Sequence, residues 1–237
     1  MEEFLLSFAA LPTPVIGLIF LAENALLTVA VLVVGRYIQW RVTPGGVTLY
    51  AHTRREWLIC IGTNVINTAV TYAGFRMWTD GFITITYETS WMIVVDFLLL
   101  FLAMDLLMYA FHRAIHQTFL YRLIHQLHHQ AVHPRPLDLF ILHPVETVSF
   151  GSLWLFLLVL YPFNIYAVIV YLGLNLISGL VGHLGIEPLP GAVRNLPVIR
   201  YLGTSTFHHD HHEDPGYNFG FYTSIWDRLF GTLRKSA

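Results

Sequence analysis

Cysteine is nearly absent: Cys60 stands alone in 237 residues. One thiol excludes an intrachain disulfide and a thiolate metal cluster. Charge is scarce too. Asp, Glu, Lys and Arg make up 12% of the chain, against roughly a quarter in soluble domains. A net charge of −2 with no basic patch excludes a nucleic-acid partner. No Asn-x-Ser/Thr sequon occurs, and the start, Met1-Glu2-Glu3, is not the positive region of a signal peptide. No low-complexity segment is present. What remains is apolar: 55% hydrophobic residues and a mean hydropathy of +0.58. That composition and length predict an integral membrane protein.

Five apolar stretches are candidates for membrane segments: Val15–Val34, Trp57–Phe75, Trp91–Phe111, Val148–Tyr161 and Ile165–Val181. The fourth is short and ends at Pro162, so the last two read as a hairpin turning at Tyr161-Pro162-Phe163-Asn164. Arg36, Arg41, Arg54 and Arg55 follow the first stretch. Arg113, Arg122 and Arg135 follow the third, and Arg194, Arg200, Arg228, Arg234 and Lys235 follow the fifth. Only Arg76 falls on the other side. The positive-inside rule then makes those regions cytoplasmic and the N-terminus external.

Histidine is the residue in excess, and it is clustered. Three boxes read His112-x-x-x-His116, His125-x-x-His128-His129 and His208-x-x-His211-His212. On a helix, residues three and four apart share a face, so each box can aim its imidazoles at one point. Imidazole ligates iron, copper, nickel and zinc. Eight boxed imidazoles exceed one tetrahedral site, which implies two metal ions. All three boxes fall on the side that the arginines mark as cytoplasmic. Twenty-one residues from Trp91 cover about 30 Å, the hydrocarbon thickness, so His112 and His116 emerge at the membrane boundary.

Asp105-x-x-x-Tyr109-x-x-His112-Arg113-x-x-His116, followed by Tyr121 and the second box, resembles the fatty acid hydroxylase/sterol desaturase superfamily. So do His143-Pro144-Val145-Glu146, Gly182-His183-Leu184-Gly185, the third box, Asn218-Phe219-Gly220 and Trp226-Asp227 through Thr232. The likeness runs from Asp105 to Thr232. It implies an all-α membrane bundle of four to five segments, with a cytoplasmic helical cap carrying the histidine boxes. N-terminal membrane helices would occupy residues 1–90 and a catalytic domain residues 91–237. It implies two iron ions as cofactor, with O2 as co-substrate and zinc able to replace iron in purified protein. The metal ligands carried over are His112, His116, His125, His128, His129, His208, His211 and His212, with His183 as a ninth. His183 also fits a helix C-cap. Some relatives have another histidine near position 179. Gly179 cannot coordinate, which leaves one metal with fewer protein ligands or a water. His143 is either a ligand or a residue that orients the cluster with Glu146.

Asp105 stands inside an apolar helix about 10 Å along the axis from His112. An intramembrane carboxylate is costly, which makes it a functional candidate. Accepting an N–H from a ligand histidine on another segment is its expected role, and Asp210 and Asp227 could serve similarly. Asp96 and Glu23 read as structural, and His52, His133 and His209 as bystanders.

Zinc has no redox chemistry, whereas iron with imidazole suits O2 activation. The Glu-x-x-His pairs of carboxylate-bridged di-iron bundles are absent, so the centre would be histidine-only. The expected activity is O2-dependent hydroxylation or desaturation at a C–H bond of a lipid drawn from the bilayer. Electrons would come from a separate cytoplasmic-side donor, since no cytochrome b5-like, flavin or ferredoxin segment is present. A bacterial inner membrane is favoured over the endoplasmic reticulum. The alternatives are a zinc-dependent membrane hydrolase and a metal-transport or storage protein.

Overall fold

The computed structural model describes residues 1–43 and 51–234; Lys235, counted above among the basic residues, lies outside them. The elements are α1 (Glu2–Ala9), α2 (Thr13–Val42), α3 (Arg54–Thr79), α4 (Met92–His116), α5 (Pro144–Leu160), α6 (Ile165–Gly182), α7 (Gly191–Arg194), α8 (Ser205–Glu213) and α9 (Ile225–Phe230). Among the described residues the only β pairing is two isolated bridges, Thr86 with Asn164 and Leu202 with Thr223.

Four helices, α2, α3, α4 and α6, are long and apolar enough to cross a membrane. The chain is an all-α, multi-pass integral membrane protein. Local chemistry explains the helix ends. Thr53 and Glu56 close a reciprocal capping box at the start of α3. Pro144 occupies the first turn of α5, and Asn164 caps α6 by accepting from Tyr166 N. With 17 residues, α5 is shorter than the spanning helices, as Pro162 suggests. It packs against α3 and α4, while α6 packs against α4, and Trp154 of α5 stacks on Tyr171 of α6.

The two ends of the bundle differ. At one end, Asp96 of α4 accepts from Asn164 N at 2.9 Å and Tyr161 Oη at 3.2 Å, pinning the α5–α6 turn. Arg76 pairs with Asp80 at this end. The other end carries the ends of α4 and α6, the start of α3 and every histidine box. Arg135 joins it to α3 through Glu56 at 2.8 Å and holds Asp138 at 3.0 Å. Gln39 of α2, buried, donates to Leu184 O at 2.7 Å, so an N-terminal helix braces the turn beside His183.

Two carboxylates hold the C-terminal segment inside the bundle. Asp105, fully buried in α4, accepts from Thr223 N (3.1 Å), Thr223 Oγ1 (2.5 Å) and Trp226 Nε1 (3.0 Å). Asp227, equally buried, accepts from Phe219 N and Gly220 N at 2.8 Å each and from Thr232 Oγ1 at 2.7 Å. Gly220 is required there, because a Cβ would strike Thr223 O and Asp227 Oδ2. Asn218 takes a left-handed backbone (φ 56) and is held by Phe207 O and Arg234 N.

Asp96→Ala leaves two donors at the α5–α6 turn without their acceptor, at about 1–3 kcal/mol each. The melting temperature in detergent is expected to fall by several degrees. An unchanged melting curve would show that the turn is held by other contacts.

Candidate metal centre

Nine buried or half-buried histidines form two groups. One holds His112, His116, His125, His129 and His211, the other His128, His183, His208 and His212, and within each group the donor atoms lie within 4.8 Å of one another. The groups adjoin: the rings of His129 and His212 stack at 4.4 Å across the divide.

The boxes do not each serve one point, as helical spacing alone predicts. His125 and His129 turn to the five-histidine group while His128 turns to the four-histidine group. His208 and His212 turn to the four-histidine group while His211 crosses to the other. In both boxes the i, i+4 pair faces one site and the i+3 residue the other. Box two is also not a regular α-helix. Tyr121–His125 is a π-helical turn and His128–Gln130 a 3-10 turn. This short segment must leave α4 and turn before Pro134 and Pro136, and Pro disfavours helix in the residue before it. Box three lies in α8, capped by Thr204. Box one completes the last turn of α4. His183 is the C-cap of α6 and also a member of the four-histidine group.

In four of the nine rings Nδ1 is engaged elsewhere, which leaves Nε2 as the donor atom. His112 Nδ1 donates to Phe219 O (2.8 Å), His125 Nδ1 to Glu146 Oε1 (2.5 Å), His183 Nδ1 to Gly179 O (2.8 Å) and His211 Nδ1 to Tyr217 O (2.6 Å). With the proton on Nδ1, Nε2 carries a bare lone pair. Yet His112 Nε2 faces His125 Nε2 at 3.0 Å, and His211 Nε2 is buried with no partner. Two lone pairs in contact repel unless a cation lies between them. The other Nε2 spacings are 3.1–3.4 Å. Donors around one ion at about 2.1 Å stand roughly 3.0–3.4 Å apart, so both groups fit a metal ion.

Burial, reinforced by neighbouring imidazoles, holds His125, His128, His129, His208, His211 and His212 well below the ordinary histidine range. Burial lowers His183 as well. The neutral ring is the form that binds metal.

The acidic candidates divide. Glu146, buried in the first turn of α5, holds His125 directly. Asp227 acts one step further out, by gripping the Phe219 and Gly220 amides behind the carbonyl that receives His112. Asp105 does not receive an N–H from a clustered histidine, because Thr223 and Trp226 occupy it. Asp210 faces Arg234 at 3.6 Å instead of a clustered ring. His143 joins neither group. Its Nδ1 accepts from Val145 N as the cap of α5. His52 and His133 also lie outside both groups.

The spacing arguments missed the backbone acceptors at Gly179, Tyr217 and Phe219, which carry no side-chain signature. They also missed the Tyr121 ring beside His116 (5.0 Å) and His129 (5.6 Å). Gly179 plays a part that its lack of a ligand atom concealed. A Cβ there would meet Leu139 at 2.9 Å, and its carbonyl orients His183.

Residues 97–232 match the family model described as fatty acid hydroxylase, and all nine clustered histidines lie inside that segment. A Delta(7)-sterol 5(6)-desaturase of Leptosphaeria maculans is 30% identical over 132 residues, covering 55% of this chain and 35% of that protein. Lathosterol oxidase of Mus musculus is 32% identical over 136 residues, covering 56% and 43%. A very-long-chain aldehyde decarbonylase of Oryza sativa subsp. indica is 32% identical over 138 residues, covering 55% and 22%. The chain thus spans less than half the length of these relatives. No solved structure matches it.

His129→Ala or His211→Ala should lower the bound metal from about two ions per chain toward one, by opening the five-histidine group. His128→Ala or His208→Ala should do the same at the other group, and His133→Ala should change neither. Metal analysis of the purified variants decides this, and loss of both ions from each single variant would show one coupled site. Glu146→Gln should weaken metal retention about 10–100-fold, the range usual for a residue that orients a ligand.

Proposed function

The chain belongs to the fatty acid hydroxylase family, and from that premise we propose that it is an O2-dependent oxidoreductase that hydroxylates or desaturates a lipid at two iron ions. The observation that carries the proposal is the pair of adjoining histidine groups with Nε2 lone pairs turned inward, set at one end of a membrane bundle. Sterol desaturases and oxidases among the relatives support an oxidoreductase. The lipid itself is open, since the aldehyde decarbonylase is equally similar.

Bound iron would supply O2 reduction and the oxidant for an unactivated C–H bond, chemistry that no side chain provides. In balance, R–H, O2, two electrons and two protons give R–OH and water. With a second C–H bond broken, the products are an alkene and two waters. His112, His116, His125, His129 and His211 would hold one ion, and His128, His183, His208 and His212 the other. The chain's other residues keep those rings in place. Glu146 and the carbonyls of Phe219, Tyr217 and Gly179 each hold an Nδ1 proton, so that the Nε2 lone pair stays free and aimed. Burial excludes water from the rings and keeps them neutral. Substrate would enter from the bilayer, and electrons from a separate donor docking on the exposed side.

The distribution of basic residues supports a cytoplasmic location for that side, and our reading of the membrane is a bacterial inner membrane. Two other readings fit less well. A transporter places ligands near the bilayer midplane, whereas these histidines lie at one end. A zinc hydrolase needs a free general-base carboxylate, whereas Glu146 is engaged by His125.

Protein purified anaerobically from iron-supplied cells should carry close to two metal ions per chain, iron among them. Activity retained with a single zinc would refute the di-iron centre, but zinc in aerobically overexpressed protein would not, because zinc outranks Fe(II) in affinity. Lipid extracts of cells with and without the protein should differ by species heavier by one oxygen or lighter by two hydrogens. Identical lipid profiles together with a metal-loaded protein would point away from lipid oxidation. In a Cys60→Ala background, a cysteine introduced beside Asp80 should react with an impermeant external reagent and one beside Arg194 should not. The reverse pattern would move the histidine centre to the opposite compartment.

A further inference from the structure

Residues 196–202 and 225–230 lie outside the spanning helices, yet their outer faces are apolar. Val198 is 71% and Leu229 67% exposed, and Leu196, Leu202, Ile225 and Phe230 are exposed beside them. Two contacts with α4 fix how deep these segments sit. Trp226, near the start of α9, donates to Asp105, and Phe230, at its end, stacks on Tyr109 at 5.6 Å. Helix α9 therefore runs alongside α4 from the level of Asp105 to that of Tyr109. Those residues precede His112 by seven and three positions, about 10 and 5 Å along the axis. With His112 at the membrane boundary, α9 lies where acyl chains meet headgroups. Tyr201 is tied to the same level, since Tyr201 O accepts from Ser224 N at 2.7 Å and Leu202 bridges Thr223.

At this depth an arginine needs an anion. Arg200 and Arg228 are both exposed, and both guanidinium groups stand against one ring, 4.8 and 5.0 Å from the centre of Tyr201. Arg228 is held by donating Nε to Ser224 Oγ (3.1 Å) and Nη2 to Arg200 O (3.0 Å), and Arg200 Nη2 donates to Tyr201 Oη (2.9 Å). These bonds leave Nη1 of both arginines, and Nε of Arg200, without an acceptor among the described residues. Arg76, Arg135 and Arg234 pair with carboxylates; among the described residues Arg200 and Arg228 pair with none. The one acid in these two segments, Asp227, is buried and taken up by the Phe219 and Gly220 amides. Two cations sharing a ring repel each other, and more strongly beside hydrocarbon than in water. An anion between them removes that repulsion and accepts from the open N–H groups. Guanidinium matches the oxygens of a phosphate in paired hydrogen bonds.

We propose that Arg200 and Arg228, with the apolar side chains around them, form a docking site for an anionic phospholipid of the adjoining leaflet. Its phosphate meets the two guanidinium groups while Leu229 and Phe230 lie against its acyl chains. The two halves of the site select together. A soluble phosphate ester would satisfy the arginines and leave the apolar face in water, whereas a zwitterionic lipid carries its own cation to the phosphate and gains less from the pair. Basic groups at the headgroup level with apolar residues just below them are the arrangement by which interfacial segments hold anionic bilayers. The site is separate from the histidine centre. Its lipid is a bound neighbour of the protein, and the inference holds whether or not the chain oxidises lipids.

The test titrates the full chain, in detergent, with phosphatidylglycerol or phosphatidylcholine of identical acyl chains, and counts bound lipids by native mass spectrometry. Phosphatidylglycerol should bind about 10–30-fold more tightly, the ratio expected of two basic residues at an anionic headgroup. Arg200→Gln combined with Arg228→Gln should remove most of that preference. Arg200→Gln alone, which gives up only the bond to the neighbouring Tyr201, should lower it about 5-fold and keeps the test open if the double variant fails to fold. Arg54→Gln combined with Arg55→Gln removes the same charge from another exposed pair, at the start of α3, and should leave the preference in place. Glycerol 1-phosphate at the lipid's concentration should displace nothing. No preference in the wild-type protein, equal loss in both arginine pairs, or displacement by glycerol phosphate would overturn the site. Depth is read separately. In a Cys60→Ala background, a fluorophore on Leu229→Cys should be quenched in nanodiscs by phosphatidylcholine spin-labelled near the top of its acyl chain, and an unquenched label would also overturn the proposal.

Discussion

Nine imidazoles brought together in a dry site make an arrangement that is unstable by itself. Their Nε2 atoms converge at 3.0–3.4 Å, and at His112 and His125 both are lone pairs, because Nδ1 holds the proton. A cation between the rings would relieve this, and the surrounding structure consists largely of devices that aim the Nε2 atoms inward. Glu146 and the three carbonyls each take an Nδ1 proton. Removing such an acceptor would free a ring to change tautomer, replacing a lone pair with an N–H that cannot ligate. The i, i+4 pairs keep two donors in register on one turn, while the i+3 residue of each box links the two sites mechanically. A displacement of either box would thereby move donor atoms in both groups.

The C-terminal segment shows how much backbone such a centre requires. Phe219 and Tyr217 lend their carbonyls, and a loop can offer carbonyls accurately only when its own path is held. Asp105 and Asp227 do this from inside the bundle, each with three donors. Asn218 accepts a left-handed backbone at the turn, and Gly220 passes where no Cβ fits. An intramembrane carboxylate such as Asp105 looks catalytic when read as an isolated charge. Its partners show that it anchors Thr223 and Trp226, and that its influence on the histidines passes through the chain it holds.

The apolar helices, the hairpin and the asymmetry of arginines were legible in the sequence because each is a local property. Mean hydropathy and helix length decide whether a segment can cross a bilayer, and they need no knowledge of its neighbours. Histidine spacing likewise revealed the candidate site and its surplus of imidazoles over one tetrahedral set. It could not assign rings to sites. Helical periodicity predicts that His125, His128 and His129 share a face, but the chain there winds through a π turn and a 3-10 turn, and His128 faces away from the other two.

The sequence by itself determined a membrane bundle with three histidine boxes at one end, since hydropathy and spacing are written residue by residue. Only the tertiary structure decided which five histidines and which four belong together, that Glu146 rather than Asp105 touches a clustered ring, and that His143 is a helix cap. The physical reason is that, apart from the local bond between His143 and Val145, these outcomes depend on contacts between segments distant in the chain. Asp105 and Thr223 are separated by 118 residues and His112 and Phe219 by 107. A carbonyl acceptor is the same atom in every residue, so its position in space, and nothing in its side chain, makes it part of the site.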